Sequence, residues 1–576
     1  MSARSHDLEG PVLPTPRVST LVQMLEAASG ERTGLTFVDA SERDTLVPWG
    51  EVYSRARKAA TSLRARGLRR GDRVAIILPT GPGFCDAFFG AVLAGAVPVP
   101  LYPPVRMGRL DEYHRQTSAH LSASGARLVI TDGRLLVFLG RSMERARPEL
   151  GVVTAASLLA ATPTDHVVDV SPTELALIQF SSGSTSDPKP VALTHAAIAA
   201  QCEALRVLMP DPDTGRLNGV SWLPLHHDMG LIGCLLTATY SGASLALIPP
   251  EVFLARPAVW LRAISRVRAA VSPAPSFAYS FAAARVKDEE LRGVDLSCWK
   301  HALNGAEPVA VETLHRFTKR FDRFGFDPAS MQPVYGLAEA SLAATFSPRR
   351  PSPLLADHEG RSIASVGVPV PGVTIAIRDA HGHPLPLGQI GRIHVRGPSI
   401  MHGYFERPEL TNEALVDGWL DTGDLGFVRQ GELFVCGRSK DVVIIRGANH
   451  APSTFEECLD GVEGVRAGCA VAVGHRPTGD EESLLLLVET TYESTSDLAE
   501  RIARIVTERT GIRPGEVVLL APGTLPRTSS GKLRRRESLR RHLAGELSPP
   551  AAVTGLLLVK ELARSAAGLV ASRTGS

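Results

Sequence analysis

One stretch of the chain has the residue types that can surround an anion. Residues 180–189 read FSSGSTSDPK and directly follow an apolar run. Glycine and small hydroxyl residues let the backbone turn tightly. Its N–H groups and the hydroxyls can then donate to phosphate oxygens, while the lysine supplies positive charge. The stretch is not a Walker loop, because GxxxxGK[ST] is absent. Taken alone, these residues fit a phosphate-binding loop and a flexible surface loop equally well.

Six further clusters hold residue types that bind parts of a nucleotide or an acid. Glycine allows close backbone approach to a flat base, and tyrosine offers an aromatic platform. A carboxylate accepts hydrogen bonds from ribose hydroxyls or binds Mg²⁺, and lysine neutralises phosphate. Three of the clusters also have a plainer alternative: a packed or exposed histidine at His227, a turn after a strand at DTGD, and one more charge in a basic surface run at Lys532. In chain order the clusters are WLPLHHDMG at 222–230, NGAEP at 304–308, YGLAE at 335–339, DTGD at 421–424, GRSKD at 437–441 and PRTSSGK at 526–532.

The seven clusters in this order closely resemble the motifs of the adenylate-forming superfamily. That superfamily includes acyl-CoA synthetases, luciferases and peptide-synthetase adenylation domains. The resemblance implies an enzyme that uses ATP and Mg²⁺ to join a carboxylic acid to AMP. Two positions depart from the pattern, because Pro190 stands where glycine is usual and Ala338 stands where many members have threonine. We expect the proline to stiffen the exit of the loop. With alanine at 338, one phosphate-binding hydroxyl is missing or is supplied by another residue.

The resemblance also implies a role for each motif residue. Lys532 would bridge the substrate carboxylate and the α-phosphate, His227 would border that carboxylate, and Glu339 would help to hold Mg²⁺. Lys440 would be the hinge between two domains. The loop residues would hold the β- and γ-phosphates, the tyrosine would pack on adenine, and the aspartate would bind ribose. The residues implied to bind ATP or AMP are Ser181, Ser182, Gly183, Ser184, Thr185, Lys189, Asn304, Gly305, Ala306, Glu307, Tyr335, Gly336, Asp424 and Arg438.

Several segments resemble fatty acyl-AMP ligases more than fatty acyl-CoA ligases. They are VPVPLYPP at 97–104, PAVWLRAI at 257–264, FAY at 277–279, SCWK at 297–300, the alanine within YGLAE, and GANHAP at 447–452. This branch implies a fatty acid substrate. It also implies acyl transfer to the phosphopantetheine thiol of an acyl carrier protein in polyketide, nonribosomal peptide or lipid biosynthesis. Candidates for the wall of the acyl pocket are Met229, Ser276 and Phe277.

Two other functions stay open. A fatty acyl-CoA ligase would share the fold and the first step. Acyl-AMP ligases usually carry an insertion after YGLAE, whereas here only 27 residues, 340–366, lie between that motif and Gly367. The other alternative is a catalytically silent acyl-nucleotide-binding module. Pro190 and Ala338 favour it, and the intact loop around Lys532 opposes it.

The bulk composition narrows the class of protein and its location. The 576 residues include 62 Lys plus Arg and 60 Asp plus Glu, so net charge gives no basis for nucleic acid as the main partner. Seven scattered cysteines without metal-ligand spacing favour reduced thiols. The N-terminus lacks the apolar core of a signal peptide, and no apolar run reads as a clean membrane span. We therefore expect a cytoplasmic protein without stable membrane insertion.

The elements that must position these residues follow an alternating pattern. Apolar runs at 73–78, 97–101, 128–131, 175–180 and 244–248 alternate with helical segments, which predicts parallel sheets covered by helices. After about Gly367, short strands between Gly and Pro turns indicate a small β-rich subdomain. Further on, strands and helices alternate in a compact α+β pattern.

We therefore predict an α/β protein with three parts. Residues 1–438 would form an N-terminal AMP-binding domain of two helix-covered sheets with a small β-barrel-like subdomain. Residues 439–546 would form a mobile α+β C-terminal domain that carries Lys532. Residues 547–576 would form a tail, which includes an amphipathic segment without an assigned role.

Overall fold

The computed structural model describes residues 7–104, 107–164, 167–181, 188–210, 218–358, 361–445, 448–476, 482–491, 496–528, 531–550 and 561–569. These residues form an α/β protein, as the alternation of apolar runs predicts. Sheets with helices packed between them make up most of the chain, and a smaller α+β unit follows Arg438. None of the helices in these ranges combines the length and the apolarity that a bilayer crossing needs.

A parallel sheet near the N-terminus is buried on both faces. Its strands, in spatial order, are Val97–Leu101, Arg73–Ile77, Leu128–Thr131 and Val152–Thr154. Successive side chains of a strand point to opposite faces, so Ile76 packs in the core that contains helix Pro82–Leu93, and Ala75 packs in the core under helix Leu110–Ser124. Helices on both faces explain why these strands are apolar without alternation.

A second, longer sheet carries the NGAEP and YGLAE motifs. Its strands are Gly219–Ser221, Leu245–Leu247, Gly34–Val38 and Asp44–Pro48 in one part, and Ala302–Asn304, Met331–Gly336, Ala343–Phe346 and Val368–Pro369 in the other. Single bridges from Val271 to Gly219 and to His301 join the two parts. Ala302–Asn304 and Met331–Gly336 are parallel neighbours, and the two motifs therefore lie side by side where adjacent strands end.

The strand before residues 181–189, here called the anion-type loop, does not belong to a parallel sheet as predicted. Leu175–Phe180 pairs antiparallel with Pro190–Thr194, and Gly403–Tyr404 forms the third strand of this sheet. A short apolar run looks the same in either kind of sheet, so periodicity could not separate the two. Ser181 N donates to Lys189 O at 3.2 Å, which closes the hairpin at the base of the loop.

The β-rich part predicted after Gly367 is a six-stranded antiparallel sheet. Its strands are Leu8–Glu9, Thr374–Arg378, Gly391–Arg396, Trp419–Arg429, Leu415–Val416 and Glu432–Arg438. A separate hairpin of Leu355–His358 and Arg361–Ala364 lies within the short segment that follows YGLAE. The DTGD and GRSKD motifs lie on the paired strands Trp419–Arg429 and Glu432–Arg438, so the sheet brings them together.

The C-terminal α+β unit has a small core of its own. Its strands are Val443–Ile445, Ala448–His450, Val465–His475, Ser483–Thr490 and Glu516–Leu520. Its helices are Pro452–Glu456, Ser496–Thr510 and Arg535–Leu543. Phe455, Leu486 and Ile502 are fully buried in one cluster, which explains why this unit is compact. A last helix covers residues 561–569.

The remaining helical elements connect the sheets. The α-helices are Leu21–Ser29, Trp49–Ala65, Gly133–Leu136, Gly140–Ala146, Ala155–Leu158, His195–Leu208, Thr237–Ser241, Pro250–Ala255, Ala258–Val267, Ser276–Arg285, Val311–Phe321 and Pro408–Ala414. The 3₁₀ turns are Met107–Arg109, Asp288–Leu291, Asp322–Phe324, Pro328–Ser330, Ala338–Ala340 and Glu457–Leu459. Met229–Leu236 is a π-helix, a form that is often found at functional sites.

A cluster of aromatic rings supports helix Ser276–Arg285. Trp260 is fully buried and contacts the rings of Tyr279 and Trp299 edge-on, with centroids 5.5 and 5.1 Å away. Its indole N–H donates to Ser272 Oγ at 2.8 Å. The cluster therefore holds the helix that contributes Ser276 and Phe277 to the site.

Replacing Trp260 by alanine is expected to lower the free energy of unfolding by about 3–5 kcal/mol, because a large fully buried ring leaves a cavity behind. Chemical denaturation, monitored by circular dichroism, measures this loss of stability. Leu387, which is 57% exposed, provides the control, because its replacement by alanine should change stability by less than about 0.5 kcal/mol. Equal unfolding midpoints for the two variants would contradict the prediction.

Candidate active site

A cavity of about 1850 Å³ lies where the N-terminal sheets meet the C-terminal unit. Fifteen of the residues predicted for the site line it. They are Ser181, Lys189, His227, Met229, Ser276, Phe277, Ala306, Glu307, Tyr335, Gly336, Glu339, Asp424, Arg438, Lys440 and Lys532. These residues come from separate sheets and loops, and it is the fold that gathers them around one space.

A tyrosine, an aspartate and an arginine form one wall of the cavity. The Tyr335 hydroxyl donates to Asp424 Oδ2 at 2.8 Å, and Arg438 Nε lies 3.3 Å from Asp424 Oδ1. Asp424 and Arg438 are directly opposite each other on paired strands. Burial raises the pKa of Asp424 above its ordinary value, and the Arg438 guanidinium opposes that shift. The wall thus offers an aromatic ring, a carboxylate and a guanidinium together.

The residue after this tyrosine, Gly336, has to be small because the neighbouring chain segment approaches it closely. A Cβ at Gly336 would lie 1.7 Å from the Leu342 carbonyl oxygen and 2.8 Å from the Ala343 Cα. Only glycine leaves room for the two strands to pair here. In the adjacent NGAEP turn, Ala306 has φ +68°, a left-handed conformation that costs a non-glycine residue about 1–3 kcal/mol. Such strain is often found at functional sites, and this turn lines the cavity.

Lys532 reaches the cavity from the C-terminal unit. Its backbone N–H donates to Thr528 Oγ1 at 3.0 Å, and Thr528 N donates to Lys532 O at 2.8 Å. Burial lowers the pKa of the Lys532 ammonium, while the charges of Asp228, Glu307 and Asp424 favour its protonated form. The ammonium therefore lies among carboxylates from three different motifs.

Glu339 lies on the side of the anion-type loop. The Tyr404 hydroxyl donates to Glu339 Oε1 at 3.0 Å, and Lys189 Nζ lies 5.3 Å from the centre of the Tyr404 ring. In the described part of the chain, no group of three or more His, Cys, Asp or Glu side chains is arranged to hold a metal ion. One carboxylate beside phosphate oxygens still suits Mg²⁺, which usually keeps several waters and takes only one or two protein carboxylates.

The two histidines of the HHDM sequence differ in their surroundings. His227 Nδ1 lies 2.6 Å from Asp228 Oδ1, and both side chains are mostly buried at the cavity wall. His226 is more deeply enclosed, and burial lowers its pKa to about 3, so this imidazole is neutral. Gln179 Nε2 donates to the His226 carbonyl at 2.6 Å and fixes this turn to the strand before the loop.

The predicted acyl-pocket residues lie on two helix N-termini. Met229 begins the π-helix Met229–Leu236, and Ser276 and Phe277 begin helix Ser276–Arg285. Phe277 N donates to Glu307 Oε1 at 2.6 Å, so this wall touches the NGAEP turn. The cavity is also lined by apolar side chains that are buried or, for Leu342, partly buried. They are Leu205, Met209, Val271, Leu303, Leu342, Ala343, Phe346 and Val366.

Six predicted residues are not among the lining side chains. Asn304 is fully buried, and within the described ranges its amide nitrogen and oxygen have no hydrogen-bond partner. Gly305 packs against Val334, whose Cγ2 would lie 2.7 Å from an added Cβ. Both lie behind the wall that Ala306 and Glu307 form. The other four, Ser182, Gly183, Ser184 and Thr185, lie outside the described residues.

Two residues of the site were not predicted. Asp228 pairs with His227 and acts on the charge of Lys532, and its position beside a histidine in the HHDM sequence was a usable signal. Tyr404 contacts both Glu339 and Lys189, but it lies far from them in the sequence. Only the pairing of Gly403–Tyr404 with Pro190–Thr194 brings it to the loop, and no local pattern announces that pairing.

Comparisons with known proteins identify the family of this chain. Residues 26–405 match the AMP-binding enzyme family. A putative acyl-CoA synthetase of Caulobacter vibrioides is 33% identical over 91% of this chain and 96% of its own. The medium-chain-fatty-acid–[acyl-carrier-protein] ligase JamA of Moorena producens is 32% identical over 92% and 96%. A solved structure among the fatty acyl-adenylate ligases from E. coli and L. pneumophila has 32% identity and a TM-score of 0.87, covering 93% of this chain and 100% of its own.

The fold is that of an adenylate-forming enzyme, and its cavity lies between the large part and a lysine that the small part brings in. The chain belongs to the AMP-binding enzyme family, in its fatty acyl-AMP ligase branch. The order of the seven motifs predicted this membership, and the prediction is confirmed.

Replacing Gly336 by alanine is expected to weaken AMP binding by about tenfold or more. The added Cβ overlaps the Leu342 carbonyl, and overpacking of this kind typically costs about 1–3 kcal/mol. Isothermal titration with AMP measures the effect. Gly133, where an added Cβ meets nothing within 4 Å, is the matched control and should bind AMP like the parent protein. Unchanged affinity in Gly336→Ala would show that this strand does not position the nucleotide.

Proposed function

We propose that this chain activates a fatty acid by joining it to AMP with release of pyrophosphate. We further propose that it passes the acyl group to the phosphopantetheine thiol of an acyl carrier protein or carrier domain. The observation that carries the proposal is the position of Lys532. Its ammonium enters a cavity that has a nucleotide-type wall around Asp424 on one side and an apolar extension beyond Met229 on the other.

The first step needs positioning and charge neutralisation rather than a general base. A fatty acid is already ionised at neutral pH, so no proton has to be removed. Its carboxylate is a weak nucleophile, and it must approach the α-phosphate, which is also anionic. Lys532 would lie between the two anions and stabilise the charge that develops as they react. His227 would border the substrate carboxylate, held by its contact with Asp228.

Three nearby carboxylates favour the protonated form of Lys532 before substrate arrives. Burial alone lowers the pKa of Lys532, and Asp228, Glu307 and Asp424 counter that effect. When substrate anions enter, their negative charge would act on the ammonium in the same direction. The site would thus keep a cation ready in a place that water solvates poorly.

The nucleotide would be held by the wall around Tyr335. This ring would pack on adenine, Asp424 would accept hydrogen bonds from the ribose hydroxyls, and Arg438 would lie beside the ribose and phosphate. Ser181 and Lys189 at the base of the loop would contact the β- and γ-phosphates, together with Ser182, Gly183, Ser184 and Thr185. Asn304 and Gly305 would act from behind, by shaping the turn that presents Ala306 and Glu307.

Glu339 is the residue proposed to hold Mg²⁺. Its carboxylate lines the cavity near Lys189, and Tyr404 orients one of its oxygens by the 3.0 Å hydrogen bond. When bound, the ion would neutralise phosphate charge and help pyrophosphate to leave. Glu339 would provide one carboxylate ligand, and Tyr404 would keep it turned toward the phosphates.

The acyl chain would occupy the apolar part of the cavity. Met229, Ser276 and Phe277 would form the wall next to the reacting carboxylate, and the buried residues beyond them would surround the chain. A side chain at Gly233 would meet Leu342 Cδ2 at 2.7 Å, so glycine on the π-helix keeps this passage open. The apolar side chains around this passage fit a hydrocarbon chain.

For the second step, we propose that the α+β unit at 439–546 turns about Lys440 relative to the domain at 1–438. Lys440 is exposed and follows the last strand of the six-stranded sheet. A rotation there would withdraw Lys532 and admit the carrier thiol, as hinge motions at element ends commonly do. A relative that is named an acyl-carrier-protein ligase supports this acceptor.

Lys532→Ala is expected to lower acyl-AMP formation by at least about 100-fold, because a charge that acts mainly in the transition state is lost. Fatty-acid-dependent exchange of pyrophosphate into ATP measures this step. Such exchange by the parent protein would also exclude a silent binding module. Arg540→Ala is the control, because Arg540 lies in the same basic run but pairs with Glu537 and Glu546 and does not line the cavity. Near-normal exchange in Lys532→Ala would refute the proposed role.

A fatty acyl-CoA ligase is the second candidate, favoured by the short segment at 340–366 and by a relative named as a putative acyl-CoA synthetase. Incubation with fatty acid, ATP and either CoA or a phosphopantetheinylated carrier protein separates the two. We expect acyl-AMP to accumulate with CoA and the acyl group to reach the carrier. Rapid formation of acyl-CoA, with no preference for the carrier, would assign the second function instead.

A further inference from the structure

The last helix packs on the N-terminal part of the chain rather than on the C-terminal unit that precedes it. Its inward positions are Glu561, Ser565 and Gly568, which recur at helical spacing, while the residues between them are exposed. Gly140 N donates to Ser565 Oγ at 2.7 Å, and Arg141 Nη1 lies 3.4 Å from Glu561 Oε2. A hydrogen bond and an ion pair thus attach this helix to Gly140–Ala146.

Two glycines allow the helix to approach this closely. A Cβ on Gly568 would lie 2.6 Å from the carbonyl carbon and oxygen of Gly140, and a Cβ on Gly140 would lie 1.7 Å from the Ser565 carbonyl oxygen. Backbone therefore meets backbone, and a larger side chain at either glycine excludes the contact. Leu569 packs against the same hydrophobic core as Tyr113, so the helix end is also held by apolar contact.

A second attachment lies nearby, on the segment that begins helix Leu110–Ser124. Arg109 Nη2 reaches three backbone carbonyls of the C-terminal part, those of Gly523, Thr524 and Ser548, at 2.7, 3.1 and 3.2 Å. Glu112 Oε1 accepts from Arg541 Nη2 at 2.7 Å. Backbone carbonyls of the C-terminal part thus accept hydrogen bonds from a side chain of the N-terminal part, which fixes the orientation of the two parts.

Both attachments act on the chain that carries Lys532. Helix Arg535–Leu543 begins three residues after Lys532, and its Arg541 is the residue bound to Glu112. The segment then passes Ser548 and continues to the helix at 561–569. The chain beyond the lysine is therefore held at Arg109, at Glu112 and at Gly140. Contacts between units of one chain are usually weak enough to permit movement, so such attachments decide where the unit rests.

We propose that Arg109 and the docked helix 561–569 are positioning elements that hold the C-terminal unit over the cavity and so keep Lys532 at the reacting groups. This inference rests on the proposed function, because it assigns the attachments to the adenylation step. It gives the helix 561–569 a role in the same site: release of the helix removes one of the three attachments that hold the chain beyond Lys532.

The decisive variant is Gly568→Leu in the full chain, with Ala567→Leu as its matched control. The first places a side chain against the Gly140 backbone, and the second adds the same side chain to the exposed face one residue away. Ser565→Ala is a milder variant that removes only the hydrogen bond to Gly140 N. Hydrogen exchange of Arg535–Leu543 and the rate of acyl-AMP formation are measured for all three.

We expect Gly568→Leu to speed exchange of Arg535–Leu543 and to lower acyl-AMP formation at least about tenfold, because misplacing a catalytic group by 1 Å can cost about 100-fold. Ser565→Ala should change both in the same direction by less, and Ala567→Leu should match the parent. In a Lys532→Ala background, Gly568→Leu should have no further effect on the rate, because the attachment acts through that lysine.

Exchange and rate in Gly568→Leu equal to those of Ala567→Leu would overturn the inference while leaving the proposed function intact. An equal loss of rate with and without Lys532 would also overturn it, because the helix would then act only on folding. Failure of the proposed function looks different: the parent protein itself would form no acyl-AMP from any fatty acid tested.

Discussion

The proposed chemistry depends on one partly buried ammonium, that of Lys532, whose charge burial disfavours and nearby carboxylates favour. An ammonium withdrawn from water is unfavourable, and Asp228, Glu307 and Asp424 make its charged state tolerable at Lys532. These carboxylates lie on different elements of the large N-terminal part, whereas the lysine belongs to the small unit. The electrostatic balance therefore exists only when the two parts are together, which couples domain position directly to the state of the site.

Much of the fold could be predicted, because the buried strands carry strong local signals. The run at 128–131 became a strand with those bounds, since β-branched apolar residues between turn residues leave few alternatives. The run at 97–101 also kept its predicted bounds, and its two prolines are tolerated because the strand lies at the edge of its sheet. The strand 175–180 was also found at its predicted bounds, but its predicted place in a parallel sheet was wrong. Whether a strand pairs parallel or antiparallel is decided by tertiary contacts that its own residues do not record.

The site was predictable where function confines residues to a short motif. Tyr335, Asp424 and Lys532 could be named because each lies in a recognisable cluster, and all three line one cavity. Tyr404 could not be named, because its place depends on a two-residue strand that is added to a distant hairpin. The contact between residues 561–569 and Gly140 was equally invisible. The two glycines and the serine form no motif in the sequence, and their role depends on the packing of two helices that are far apart in the chain.

The strand Gly403–Tyr404 links the anion-type loop to the Glu339 carboxylate. Backbone pairing joins this strand to the exit of the loop, and the tyrosine at its end holds the carboxylate. If the hairpin shifts when a bound anion leaves, the Tyr404 hydroxyl would move with it, and its hydrogen bond to Glu339 would weaken. Departure of the leaving group and release of its counter-ion would then be a single mechanical event rather than two successive ones.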